Sequence, residues 1–284
     1  MAKTLVAGPW LGEFGWEIMS WQGHVRKMAQ GFDSVVVSGP PGHEALYEDF
    51  CDTYLPHFIP GDKDCWKLHC DHRSKEALEN ELVLMAKQLN ATRIKPAGYV
   101  APDHQKLISY GNPAKVPDDR VFDILFHFRL RHDRGQERNT PSVLASGIVQ
   151  RLPKNLRVAC IGSKEESVCF PHFKDMRGLP LCELMDVISR AWLVTGPASG
   201  PLVLAALCST PTISWSSKRW YSAVRMNNRE RMTKGWNPFH VPCKVLDEFG
   251  FQPPAIEAAN AIKEALDWAR PWKNGHLRGL GVSG

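Results

Sequence analysis

The chain has 284 residues, 43% hydrophobic and 23% charged, the composition of a globular protein with a large core. That excludes disorder, a collagen repeat and a coiled coil, and the length suits two domains of roughly 130 residues each. Net charge is +5, from 35 basic and 30 acidic residues, too little imbalance to mark the whole chain as a polyanion binder.

Apolar runs followed by Gly or Pro punctuation and then by helical periodicity set the order of elements. Residues 4–7 read as a short buried strand, 8–15 as a glycine-containing loop and 16–30 as a helix closed by Gly31. Residues 34–38 (SVVVS) form a second strand, ended by the turn Gly39-Pro40-Pro41-Gly42, with a short helix running through Phe50. A third strand is expected over 54–59 and a charged amphipathic helix over 74–89. Four prolines between 90 and 120 mark a connection between domains.

The second series has strands at 123–128 (DILFHF), 157–161 (RVACI), 192–195 and 211–215. Helices are expected over 141–151, 181–191, 200–208 and 254–270, the third apolar nearly all round as a helix covered on every side would be. Residues 273–284 carry four glycines and read as a loose tail. Short apolar strands joined by helices build parallel sheets covered on both faces. The expected fold class is therefore α/β: two doubly wound Rossmann-like domains, 1–115 and 116–284, facing each other across a cleft.

No apolar run approaches the ~18 residues that cross a bilayer, and no secretory-signal pattern opens the chain. A cytoplasmic location and no membrane partner are expected. The eight cysteines lie partly within apolar stretches such as VACIG and LAALC, as reduced thiols do. Cys65, His69, Cys70 and His72 cluster, but CxxxHCxH is not a zinc-finger spacing, and buried thiols with surface histidines account for it as well.

Open parallel sheets bind ligands at the carboxyl ends of their strands, which directs attention to three loops. In Val194-Thr195-Gly196-Pro197-Ala198-Ser199-Gly200-Pro201 a strand runs through small residues into an apolar helix. Small side chains let an anion approach the helix N-terminus, and Ser199 adds a hydroxyl; a tight turn that binds nothing is the alternative. In Phe126-His127-Phe128-Arg129-Leu130-Arg131 strand alternation places His127, Arg129 and Arg131 on one face, ready for phosphate oxygens unless Asp133 or Glu137 neutralises them. In Gly8-Pro9-Trp10-Leu11-Gly12-Glu13-Phe14-Gly15-Trp16-Glu17, Glu13 reads as a general base or a helix cap, and Glu17 as a cap.

The charge excess is local. Between Trp215 and Trp236 stand Lys218, Arg219, Arg225, Arg229, Arg231 and Lys234 against one acid, Glu230, interleaved with Trp220 and Tyr221. That pattern suits a phosphate backbone with stacked bases, the wall of a nucleotide pocket or a solvated helix face.

The order of these features resembles that of GT-B glycosyltransferases. TGPASGPLVLAALCSTPTISW is similar to the heptosyltransferase stretch that holds a donor diphosphate, Gly12-Glu13 matches the loop whose acidic residue is the base, and FHFRLR resembles the HxR element of fucosyltransferase-type enzymes, with Arg129 at the phosphate-contacting position. The resemblance implies an inverting nucleotide-sugar-dependent glycosyltransferase with Glu13 as base, needing no cofactor beyond its nucleotide-sugar co-substrate and no metal. Donor contacts fall to Arg129, Arg131, Gly162, Ser163, Gly178, Leu179, Thr195, Gly196, Ser199 and Gly200. Acceptor contacts fall to Gly12, Phe14, Trp16, Lys218, Arg219, Arg225 and Arg229. The basic aromatic stretch favours a hydroxymethylated DNA base as acceptor over a glycan or lipid-linked saccharide. The donor-loop acid of the family is replaced by Pro197-Ala198-Ser199, so the sugar-hydroxyl contacts do not carry over. A non-catalytic nucleotide- or nucleic-acid-binding protein and an epimerase-like enzyme are the competing classes.

Overall fold

The computed structural model describes residues 2–57, 72–96, 98–132, 135–222 and 225–280. They form two compact units, Met1–Ile108 and Ser109–Gly284.

In the first unit four parallel strands, β1 (Thr4–Ala7), β2 (Ser34–Gly39), β3 (Thr53–Pro56) and β4 (Thr92–Ile94), lie in the order β3-β2-β1-β4. β4 corrects the expectation of an unstructured connection from residue 90: its three residues pair Leu5 to Ala7 with Thr92 to Ile94. After β1 the chain turns through α1 (Phe14–Trp16), a π-helical turn over Glu17–Trp21 and α2 (Gln22–Ala29), one residue short of the expected end. The short helix after β2 contracts to a 3-10 turn, Glu44–Leu46. α3 (His72–Gln88) lays Leu82 and Ala86 against Val6 and Val36, an apolar contact that holds helix to sheet. The expected third strand ends at Pro56. Cys65, His69 and Cys70 of the cysteine–histidine cluster lie outside the described residues, as does the His72 side chain.

The second unit is a six-stranded parallel sheet of β5 (Ile124–Phe126), β6 (Val158–Cys160), β7 (Lys174–Asp175), β8 (Leu193–Pro197), β9 (Thr212–Trp215) and, in chain order after a two-residue hairpin β10 (Trp220–Tyr221) and β11 (Met226–Asn227), β12 (Cys243–Leu246). The sheet order is β12-β9-β8-β5-β6-β7. Renumbered from β5, that is 3-2-1-4-5-6, the dinucleotide-binding order, which reverses direction between β5 and β8. α4 (Ser142–Arg151) and α8 (Ala255–Gly279) pack with Ile124, Phe126, Leu193, Ile213 and Trp215 in one core. The alternate residues Leu125 and Val194 are fully buried too, so the sheet is covered on both faces. α5 (Leu181–Arg190), α6 (Gly200–Leu207) and the single turn α7 (Asn228–Glu230) are the unit's other α-helices, and every residue of α6 from Leu202 to Leu207 is buried, as its all-round apolarity requires.

The expectation of a loose tail is corrected over residues 273–279. α8 runs past Pro271 to Gly279, because Lys273 is fully enclosed and donates to the Ser209 carbonyl (2.9 Å) and the Thr210 hydroxyl (2.8 Å). Its amine thereby sits at the carbonyl end of α6, whose dipole offsets part of the cost of burying its charge.

Candidate functional site

The direction reversal between β5 and β8 opens the second sheet at its carboxyl edge, and the loops leaving those two strands meet there. His127, directly after β5, donates its backbone N–H to the Thr195 carbonyl (2.9 Å), and its Nδ1 lies 2.8 Å from Ser199 Oγ. The ring is 5% exposed, and burial, reinforced by the charge of Arg129, pushes its ionisation down to about 3. It is therefore a neutral imidazole at any ordinary pH.

Two glycines make room for His127, one beside its ring and one beside its backbone. At Gly162, with φ +123°, a Cβ would stand 2.8 Å from Ser167 Oγ and 2.9 Å from His127 Cδ2. At Gly196 a Cβ would run into the His127 carbonyl oxygen, so this glycine lets the two loops approach. Thr195 is fully buried with no hydrogen-bond partner for its hydroxyl, so it lies under the site and not on its surface. The loops after β6 and β7 are tied in as well: Gly178 N–H donates to the Gly162 carbonyl (2.8 Å), and Arg177 grips Asp175 and the Ser167 carbonyl (2.7 Å). Ser163 is spent locally, its hydroxyl accepting from Glu166 N–H (3.1 Å). Gly178 is exposed and Leu179 half-buried beside it.

Ser199 occupies the N-cap of α6 without making a capping bond, its hydroxyl being turned to His127 instead. Pro201 has no N–H to offer, and Leu202 and Val203 already donate to the Ser199 carbonyl. Gly200 N–H is thus the helix-end donor that remains at this edge among the described residues.

Arg129 is 7% exposed, donates to the Gly135 carbonyl and lies 3.3 Å from Asn139 Oδ1. Burial and then the charges of Arg138 and Arg131 bring its ionisation down to about 10, against the opposing pull of Glu166 and Glu137. Of the two acids expected to neutralise the cluster, Glu137 lies 3.6 Å from Arg138; Glu166, an acid the sequence did not point to, lies 3.6 Å from Arg131. Asp133 and Arg134 lie outside the described residues.

The basic stretch is not one open patch. Arg229 is bound bidentately by Asp247 (2.9 and 2.5 Å) and reaches Glu248 at 3.3 Å, so its charge is shared with two acids. Arg231 is 6% exposed and stacked 4.1 Å from the Tyr221 ring centre and 3.6 Å from that of Trp236. Arg219 lies over Tyr221 at 5.2 Å. Arg225 and Lys218 remain toward solvent, beside exposed Trp220.

In the first unit the loop after β1 runs from the carboxyl edge where that sheet also reverses, between β1 and β4. Gly12 is buried, while Glu13, Phe14 and Trp16 are half-buried. Glu13 holds the N-cap position of α1 and makes no capping hydrogen bond. Glu17, expected as a cap, is fully enclosed in the π turn: it accepts from the Tyr47 hydroxyl (2.8 Å) and lies 2.6 Å from His43 Nδ1. His43 and Tyr47 went unremarked in the sequence, although His43 directly follows the Gly-Pro-Pro-Gly turn at the end of a strand.

No metal-holding group of His, Cys, Asp or Glu occurs among the described residues, and no described helix is long and apolar enough to cross a membrane.

No protein-family model matches the chain, and no curated protein matches it in sequence. Solved structures do resemble it. A family 9 glycosyl transferase from Veillonella parvula superposes with a TM-score of 0.57 at 11% identity, over 93% of this chain and 97% of that one. The E. coli ADP-heptose LPS heptosyltransferase II gives 0.57 at 11% identity, over 94% and 99%. E. coli heptosyltransferase WaaC with ADP gives 0.55 at 12% identity, over 93% and 99%. The chain therefore has the parallel-sheet α/β fold of the GT-B-like glycosyltransferases.

Proposed function

We propose that the protein is an inverting glycosyltransferase whose second unit binds a nucleotide-sugar. The observation that carries this reading is the meeting of four loops at the reversal point of a 3-2-1-4-5-6 sheet, with a crowded buried arginine and a free helix-end N–H at one edge. A diphosphate meets the needs of both: its oxygens accept from Gly200 N–H and from the fork of Arg129, and its charge relieves the repulsion from Arg131 and Arg138. In this reading the nucleoside lies along Gly162, Gly178 and Leu179. The same groups stabilise charge developing on the diphosphate as the sugar leaves. The heptosyltransferase likeness supports the fold, and the ADP named with two of those structures makes ADP the first nucleotide to try.

The first unit serves the acceptor, with residues near 108–115 as the boundary and the two units taken to face each other as a donor half and an acceptor half. The acceptor in this reading is a saccharide hydroxyl and not a DNA base. Of the six cations assigned to a DNA backbone, Arg229 is spent on Asp247 and Arg231 is enclosed between aromatic rings.

Thermal-shift titration with ADP-, UDP-, GDP- and CMP-sugars tests the donor assignment. A nucleotide-dependent rise in melting temperature that disappears in Arg129→Ala is expected. Binding unchanged in that variant, with the fold intact, discards the site.

A further inference from the structure

The first unit encloses a carboxylate that the donor site does not use. Glu17 has no exposed surface, and it sits with His43 Nδ1 at 2.6 Å and the Tyr47 hydroxyl at 2.8 Å. The side chain of His43 is 25% exposed, so its ring joins an enclosed carboxylate to the surface. The partners are held firmly. Arg26 binds Asp49 (2.8 Å) and the Leu46 carbonyl (2.8 Å), fixing the 3-10 turn between His43 and Tyr47. Tyr54 donates to the Pro40 carbonyl (2.7 Å), fixing the turn before it. Phe14, next to Glu13, packs edge-on against the imidazole with ring centres 5.3 Å apart.

We propose that His43, oriented by Glu17, is the group that takes the proton from the acceptor hydroxyl, in place of Glu13. The assignment rests on the glycosyl-transfer reading. A carboxylate that binds one ring nitrogen fixes the tautomer and leaves the other nitrogen as acceptor, which is the arrangement a base needs. The acceptor O–H gives its proton to His43 Nε2, and its oxygen lone pair forms the new bond at the anomeric carbon. The bond from that carbon to the diphosphate breaks with its electron pair, which leaves on the diphosphate, and the imidazolium later returns its proton to water.

The charged groups around the imidazole come from several elements. Burial disfavours the imidazolium, but the charge and hydrogen bond of Glu17, with Glu44 behind them, raise His43 above its usual range. His57 stands near enough to be affected by His43 and is itself lowered, chiefly by burial, and Tyr54 is raised by burial and then by Glu17 and Glu44.

The test measures nucleotide release, with water as acceptor, from whichever of the ADP-, UDP-, GDP- and CMP-sugars binds the full chain. His43→Gln keeps a donor toward Glu17 and should lower turnover by roughly 10² to 10⁴ with donor affinity unchanged. In Glu17→Gln the acid limb of the pH–rate profile should move to lower pH, because the group that raises His43 is gone. That shift is read on turnover itself and serves as the second measurement where His43→Gln fails to fold. Turnover of His43→Gln within threefold of the parent, or an acid limb unmoved by Glu17→Gln, overturns the assignment alone. A parent that binds and cleaves none of these donors overturns the glycosyl-transfer reading and the assignment with it.

Discussion

The neutrality of His127 makes the donor site measurable without any ligand. Its folded-state ionisation lies at about 3, pushed there by burial and by Arg129, while an unfolded histidine titrates near 6.5. Below pH ~6.5 the unfolded chain therefore binds a proton that the folded chain refuses, and stability falls as pH falls, until the loss is complete at about 3. The slope in that window is ~1.4 kcal/mol per pH unit, so two units below the unfolded value the site has cost about 3 kcal/mol. The perturbation is His127→Gln, which keeps a hydrogen bond to Ser199 and does not titrate. Urea denaturation of parent and variant at pH 7.5, 6.5, 5.5 and 4.5, followed by tryptophan fluorescence, gives the difference in unfolding free energy at each pH. Carboxylates common to both proteins cancel in that difference. The parent should lose about 3 kcal/mol relative to the variant between pH 7.5 and 4.5. Parallel pH profiles would falsify the enclosed neutral imidazole, and with it the packing that joins the β5 and β8 loops.

Other outcomes test the remaining parts. Arg129→Ala removes a charge-assisted contact worth about 1.5–3 kcal/mol, so nucleotide affinity measured by calorimetry should fall roughly 10- to 150-fold. Gly196→Val forces a side chain into the His127 carbonyl and should cost about 1–3 kcal/mol in denaturant unfolding, with weaker nucleotide binding. Lys273 is pushed down to about 7 by burial, below its unfolded value near 10.5. The unfolded chain thus holds a proton that the folded one gives up between those values, and stability should rise with pH from about 7 toward 10; thermal melts of Lys273→Met should lack that rise. Arg229→Ala strands the 7%-exposed Asp247 and should lower the melting temperature, while anisotropy titrations with duplex DNA should show no binding in either protein.

The strands with an unbroken apolar stretch were legible without the structure. Residues 4–7, 34–38, 193–195 and 212–215 stand in strands within the expected stretches, because a fully buried parallel strand must be apolar on both faces and its sequence shows it. α6 was legible for the same reason. Apart from the two-residue hairpin strands β10 and β11, the strands that escaped notice are edge strands: β4, β7 and β12 carry Arg93, Lys174 and Lys244 and draw their stability from one neighbour's hydrogen bonds. Local sequence does not report that pairing.

The donor loops could be located because parallel sheets place ligands at strand ends, a rule that needs only the order of elements. Which side chains are spent and which remain was decided by contacts distant in sequence. His127 and Ser199 are 72 residues apart, Arg229 and Asp247 are 18 apart, and Glu17 and His43 are 26 apart. The chain itself determined an α/β protein with glycine loops, clustered arginines and a carboxylate after its first strand, since these follow from composition and local pattern. Tertiary structure alone decided that one arginine is neutralised and another crowded, that one histidine is neutral and another paired with a carboxylate. Charge state and reach depend on burial and on partners brought together by folding, and neither is a property of neighbours along the chain.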